Sequence, residues 1–229
     1  MGRAKDIIVK VIPSKIANVF IKENHYSGKV VNNSKLHFGC FLDSMLHGVM
    51  SFGSPLDKRK VIGLVKNTKW NEMLELNRLA FDIYLPRNSE SRCISIAFKL
   101  LKKNAPHIKW ILSFADGCQC GDGTIYRASG FLLTKIKENN QIIRLENRQI
   151  VSRITYQKGA HILKNNGKAR APINAENLKG FQLRYIYLID KSCKITVPIL
   201  PFSKIDEMGA GMYKGEKITV EKRHKAVIV

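Results

Sequence analysis

The sequence predicts a mixed α/β sheet with helices on both faces. Three observations carry that prediction. Segments rich in β-branched residues alternate irregularly with amphipathic segments of helical period. Residues 108–115, IKWILSFA, form a mostly apolar run of strand length, as a strand covered on both sides requires. Just upstream, Ile94, Ala97, Phe98 and Leu101 line up as one apolar helical stripe.

The elements follow in order. Residues 6–12, DIIVKVI, read as a first strand because β-branched side chains fit a pleated surface. Pro13 and Ser14 then open a helix, with Ser14 as its expected cap and Ile16, Val19 and Phe20 at helical spacing. It runs out near Asn24-His25-Tyr26-Ser27-Gly28. Residues 36–42 and 46–52 read as paired strands joined by a tight Asp43-Ser44 turn. A basic link at 55–69 leads to the strand 73–81, MLELNRLAF, where Leu74, Leu76 and Arg78 alternate with Glu75, Asn77 and Leu79. Asn88 or Ser89 caps the second helix, which ends before the strand at 108–115. The stretch 120–131, CGDGTIYRASGF, makes a turn and a short helix, followed by a strand at 131–134. A loop tip is expected at 164–167 and a last strand at 181–189, FQLRYIYLI. Gly209, Gly211 and Gly215 in the tail lack the strand-then-helix setting of a dinucleotide loop.

Composition narrows the functional classes. With 229 residues, 45% hydrophobic, the chain can bury a substantial core. No apolar run approaches the ~18–20 residues that span a bilayer. The first fifteen residues interrupt their apolar positions with charge and lack a signal-peptide core, so a cytoplasmic protein is expected. Five cysteines without framework spacing fit reduced thiols, and Cys118 with Cys120 is a C-x-C pair too short to specify a metal site. The strongest signal is charge. Thirty-nine Lys and Arg against 18 Asp and Glu leave +21, which calls for a polyanionic partner such as DNA. Residues 135–179 carry ten of those cations and only three acids; within them Arg148, Arg153, Lys158, Lys164, Lys168 and Arg170 are the candidate phosphate contacts.

Two regions point to one ligand site. The turn Pro86-Arg87-Asn88-Ser89-Glu90-Ser91-Arg92 precedes a helix, whose N-terminus offers free N–H groups and a positive dipole end to a phosphate. Arg87 and Arg92 add charge, and Asn88, Ser89 and Ser91 add polar contacts; an ordinary helix cap is the competing reading. The second region follows the neighbouring strand. If the two strands are parallel and adjacent, both loops leave the sheet at their carboxyl ends, where open α/β sheets bind ligands. Asp116 and Tyr126 then become candidate reactive groups, against a turn former and a core aromatic.

Strand, R-N-S-E-S-R turn, helix, strand and a Tyr-x-x-x-Gly-Phe helix end resemble the core of the GNAT acyltransferases. That resemblance implies that the turn holds the pyrophosphate of an acyl-CoA such as acetyl-CoA, and that Tyr126 protonates the departing thiolate. More narrowly, ELNRLAFD, PRNSESR, SFAD and GTIYRASGF together resemble the Mom DNA-modification proteins of bacteriophages. Those are GNAT-like enzymes that place a methylcarbamoyl group on N6 of adenine in DNA and so evade host restriction. The likeness implies a site role for His25 and Tyr26, which match the family's H-Y motif, against the reading of His25 as a helix-end cap. It also implies a DNA substrate, a small-molecule donor, and action in the cytoplasm of an infected or lysogenic host. Iron has been entertained as a redox partner for this family.

The resemblance organises the chain as one catalytic domain at 1–190, with 135–179 as a basic insertion before the last core strand and 191–229 as a C-terminal extension. One departure matters. Glu90 and Arg92 stand where the usual phosphate loop has glycine or alanine, and a carboxylate there repels pyrophosphate, so a different phosphate-bearing donor competes with acetyl-CoA. Two other functions remain open at this point: an ordinary acetyltransferase of a protein or small amine, and a non-catalytic basic DNA-binding protein on the same scaffold.

Overall fold

The computed structural model describes residues 3–154, 156, 175–213 and 216–219. Lys158, Lys164, Lys168, Arg170 and the loop tip expected at 164–167 lie outside the described residues. The chain forms two compact units, one of residues 1–114, 123–135 and 184–202, the other of 115–122, 136–183 and 203–229.

The elements run β1 (Ile8–Val11), α1 (Ser14–Asn24), β2 (Ser34–Leu42), β3 (Met45–Gly53), α2 (Lys58–Val61), β4 (Met73–Phe81), α3 (Ser89–Asn104), β5 (Trp110–Asp116) and α4 (Thr124–Ala128). They continue with β6 (Leu132–Glu138), β7 (Ile142–Arg144), β8 (Ile150–Ser152), β9 (Glu176–Asn177), β10 (Phe181–Leu188), α5 (Ser203–Glu207), β11 (Met212–Tyr213) and β12 (Glu216–Lys217). A seven-stranded mixed sheet has the order β1-β2-β3-β4-β5-β10-β6. β1 to β4 pair antiparallel, and β4 pairs parallel with β5 through the crossover helix α3. The expected Asp43-Ser44 turn is present, with both residues at positive φ (51° and 64°), the twist that suits a two-residue hairpin. The expected mixed α/β architecture holds, and β6, after the Gly-Phe pair, lies beside β10, the last strand expected from the sequence.

Side-chain alternation along β3 explains why helices cover both faces. Val49 points to one side, where Ala17, Phe20 and Ile21 of α1 close over it with Ala80. Phe52 points to the other, where its ring meets Phe98 of α3 at 6.4 Å and Phe38 at 5.8 Å. Each buried Val, Ile or Phe side chain among these contributes about 1.5–3 kcal/mol. Two expected caps differ. Ser14 is already inside α1, and the carbonyl of Pro13 accepts from Ile16 and Ala17 (both 3.1 Å). At α3, Asn88 occupies the cap position in a left-handed conformation without a side-chain cap bond, while Ser89 is buried with its hydroxyl turned back to the Pro86 carbonyl (2.5 Å).

In the second unit, β7 pairs with β8 and β9, and β11 with β12. Arg148 sits exposed at positive φ (63°) in the β7–β8 turn, and Arg153 donates to Asn177 Oδ1 (2.5 Å).

Candidate active site

The site of the first unit begins with an irregularity in β4. Glu75 stands opposite Gly53 and Arg78 opposite Ser51, with one extra β4 residue between them. Residues 51 and 53 of β3 share a face, so Glu75 and Arg78 share it too, although strict alternation would separate them. A β-bulge therefore places a carboxyl and a guanidinium together on the side of the sheet that α1 covers. Gly53 has its own reason: a Cβ there would stand 2.1 Å from the Asn33 carbonyl, so only glycine admits this approach of the loop after α1.

The same position is where β4 and β5 part. Their parallel ladder runs Met73–Trp110, Leu74–Ile111, Glu75–Leu112 and stops, although both strands continue. Beyond it the Ser113 hydroxyl donates to the Leu76 carbonyl (3.1 Å), satisfying an acceptor that the ladder has released. Glu75 thus lies at the last rung before the opening.

Three of the four expected catalytic residues surround this pair. α1 ends at His25, and Arg78 Nε donates to the carbonyl of Lys29 (2.8 Å), tying β4 to the loop that carries His25 and Tyr26. The Ser27 N–H donates to His25 Nδ1 (3.2 Å), with the Ser27 hydroxyl 2.8 Å from the same nitrogen. An accepting Nδ1 puts the imidazole proton on Nε2. Tyr26 is exposed and its ring lies 4.2 Å from that of His25. Tyr126, half-buried on α4, packs on Phe131 (5.2 Å) and Tyr185 (5.3 Å). The Arg78 charge is felt by Tyr26, Glu75 and Tyr126 alike.

Electrostatics then separate the roles. Burial pushes the Glu75 carboxyl up to about 7, with Arg78 opposing the shift. Burial, aided by the Arg78 charge, lowers His25 to about 4, so the imidazole is neutral at physiological pH and acts as an Nε2–H donor. Burial also lowers Arg78, which nonetheless stays cationic. Proton acceptance therefore suits Glu75 better than His25. Glu75 and Arg78 escaped the sequence reading as site residues; their signal was two charges three apart in a strand otherwise apolar enough to be core.

The Arg87 turn joins α3 at the far end of β4. Arg87 is exposed, the first turn of α3 has no side-chain cap, and the hydroxyls of Ser89 and Ser91 donate to Pro86 and Asn88 carbonyls (2.5 and 3.2 Å). Arg92 reaches the Lys5 carbonyl (3.0 Å). Asp116 belongs to the second unit, where its oxygens accept from Cys118 N and Gln119 Nε2 (both 2.9 Å), the bonds of a turn former. Burial, with the neighbouring Asp116 carboxylate, pushes the Cys118 thiol up to about 12. Among the described residues no group of three or more His, Cys, Asp and Glu side chains could hold a metal ion. No described helix is long and apolar enough to cross a membrane.

Residues 6–204 match the Mom protein family. The chain belongs to that family. Methylcarbamoylase mom of Escherichia phage Mu is 40% identical to this Mom family member over 129 residues, 56% of this chain and 53% of that protein. The match therefore spans about half the length of each. Among solved structures, the IAA acetyltransferase of Bacillus cereus aligns over 80% of this chain and 99% of its own at 10% identity and a TM-score of 0.43. Spermidine/spermine N-acetyltransferase of Vibrio cholerae aligns over 83% and 97% at 8% identity and a TM-score of 0.47.

Proposed function

We propose that this Mom family member modifies N6 of adenine in phage DNA with a methylcarbamoyl group, acting in the host cytoplasm to evade restriction. The observation that carries the reading is the cluster of Glu75, Arg78, His25, Tyr26 and Tyr126 at the parting of β4 and β5. Forming a bond from N6 to carbon expels one N6 proton. A carboxyl poised at about 7 accepts it, while Arg78 holds the resulting charge relations of the site. His25 Nε2–H donates to a ring nitrogen of the adenine, and the exposed Tyr26 ring offers a stacking face to a base taken out of the duplex. Tyr126 is the proton donor on the donor side.

The donor is a phosphate-bearing molecule of the acyl-CoA class. Because the methylcarbamoyl group joins N6 through its methylene carbon, attack on the thioester carbonyl of acetyl-CoA, which would give N6-acetyladenine, is not the step. The donor would have to carry its leaving group on that methylene carbon. The residues present fit an anion at the first turn of α3: its uncapped N–H groups and Arg87 would hold phosphate, Asn88, Ser89 and Ser91 shape the turn, and Glu90 weakens the fit. Arg148 and Arg153 add phosphate contacts from the second unit, and Asp116 keeps its turn.

The test is mass spectrometry of nucleosides from DNA co-expressed with the protein. Deoxyadenosine carrying the added acetamido mass is expected, and its yield should fall sharply with Glu75→Gln. Unmodified deoxyadenosine alone, from a folded preparation, overturns the proposal.

A further inference from the structure

We infer that the connection between β3 and β4, residues 54–72, is a docking surface for the phosphate backbone of duplex DNA; this rests on the DNA-modification reading above. The β2–β3 link needs two residues, whereas this link is far longer than joining neighbouring antiparallel strands requires. It is also firmly held. Val61, Leu64 and Val65 are buried with Met73, Trp110, Leu112 and Ile186. Val65 bridges Ile195, Lys66 N donates to the Lys194 carbonyl (2.8 Å), and Thr196 N to the Leu64 carbonyl (3.0 Å). Trp110 Nε1 donates to Thr68 Oγ1 (3.1 Å), which donates to the Val65 carbonyl (2.9 Å).

What this anchoring displays is positive charge. Lys58, Arg59, Lys60, Lys66 and Lys69 are all exposed, Arg59 and Lys60 with 95% and 83% of their side chains in solvent. Asp57, bonded to the Arg59 N–H and paired with both neighbours, is the one acid among residues 54–69. Five cations and one carboxylate in sixteen residues repel one another, and the Lys58 ammonium over the Trp70 ring (5.7 Å) and the Lys60–Asp57 pair (3.0 Å) offset only part of that repulsion. Leu56 and Ile62, 89% and 52% exposed on either side of α2, suit sugar faces between phosphates.

Position ties the surface to the site. Ser54 accepts at its carbonyl from Asn33 Nδ2, and Ser34 pairs with Gly53, so the connection leaves the sheet beside the loop that carries His25 and Tyr26. Exposed Lys29 and Lys35 extend the charge along that loop. On this docking, the phosphates flanking an adenine at His25 and Tyr26 run along this rim.

The test uses the full chain with Lys58→Gln, Arg59→Gln and Lys60→Gln combined, binding measured by fluorescence anisotropy on two unrelated duplexes across a salt series. We expect weaker binding by about tenfold or more at low salt, and a log K against log salt slope shallower by about 2–3 on both duplexes. Modification by the variant should recover at high DNA concentration, a rise in KM with kcat kept. The charge-conserving Lys58→Arg, Lys60→Arg chain should bind as the parent does. A parent that binds and modifies DNA alongside a triple variant of unchanged slope overturns the docking surface and leaves the modification reading intact. A loss confined to one duplex sequence, or parent binding to anionic lipid vesicles in preference to duplex, also overturns it. A folded parent that binds no DNA at low salt overturns both.

Discussion

At the scale of single residues, Glu75 carries the most consequence, because one environment sets both its reactivity and its cost to the fold. A proton acceptor must be ionised, so the modification rate of the parent should rise with pH and level off above about 7, where burial has moved the carboxyl. Glu75→Gln should lose on the order of 10²–10⁴ in rate, with the remaining activity flat across that range. Stability moves in a defined direction. The folded state holds the proton more tightly than the unfolded chain between the ordinary 4.5 and about 7, so stability falls as pH rises through that window. Denaturant unfolding should find Glu75→Gln more stable than the parent at pH 8, by on the order of 1–3 kcal/mol, and no more stable at pH 4. His25 has the opposite sign. Its lowered value means that its contribution is present above the ordinary 6.5 and is lost as pH falls through about 4. Tyr126→Phe removes a hydroxyl and keeps the ring on Phe131 and Tyr185, so activity should fall by more than any loss of folded protein accounts for, as rates and melting on the same preparations would show.

At the scale of elements, turns and bulges decide which side chains meet. Gly123 starts α4 at φ 87°, and a Cβ there would stand 2.5 Å from the Tyr185 ring, itself fully buried. Gly123→Ala should destabilise by about 2–4 kcal/mol, combining the left-handed penalty with overpacking, and should reduce activity beyond the loss of folded protein because α4 carries Tyr126. Thermal melting and single-turnover rates separate the two effects. Element identity was largely legible from the chain: the apolar stripe of α3, the Asp43-Ser44 hairpin and the strand 108–115 all announce themselves through periodicity or turn chemistry. The parallel β4–β5 pair was legible only through family resemblance. The β4 bulge was not legible at all. A period of two assigns Glu75 and Arg78 to opposite faces, and nothing local in LELNRL marks the extra residue; only the pairing of β3 does. Asp116 shows the converse, since an acid before glycine reads equally well as base or as turn, and its bonds to Cys118 and Gln119 are those of a turn.

At the scale of the whole molecule, a net charge of +21 makes two properties respond oppositely to one variable. Like charges crowd within Lys58-Arg59-Lys60 and along the chain generally, and folding brings them closer than the extended chain does. Salt screens that repulsion, with a Debye length of about 30 Å at 0.01 M and about 8 Å at 0.15 M, so the free protein should melt higher as salt is added. A gain of about 1–2 kcal/mol corresponds to roughly 2–8 °C for a chain of this size. DNA binding should weaken over the same range, because each phosphate contact releases a counterion into a solution already rich in them. The melting temperatures with and without duplex should therefore converge as salt rises: bound DNA stabilises the fold most at low salt, where the free protein is weakest, and adds little at high salt. Melting curves with and without duplex at a series of salt concentrations test this directly. A DNA-induced rise in melting temperature that persists undiminished at high salt would mean that non-electrostatic contacts dominate the complex, and would remove the charge excess from any account of how the protein holds DNA.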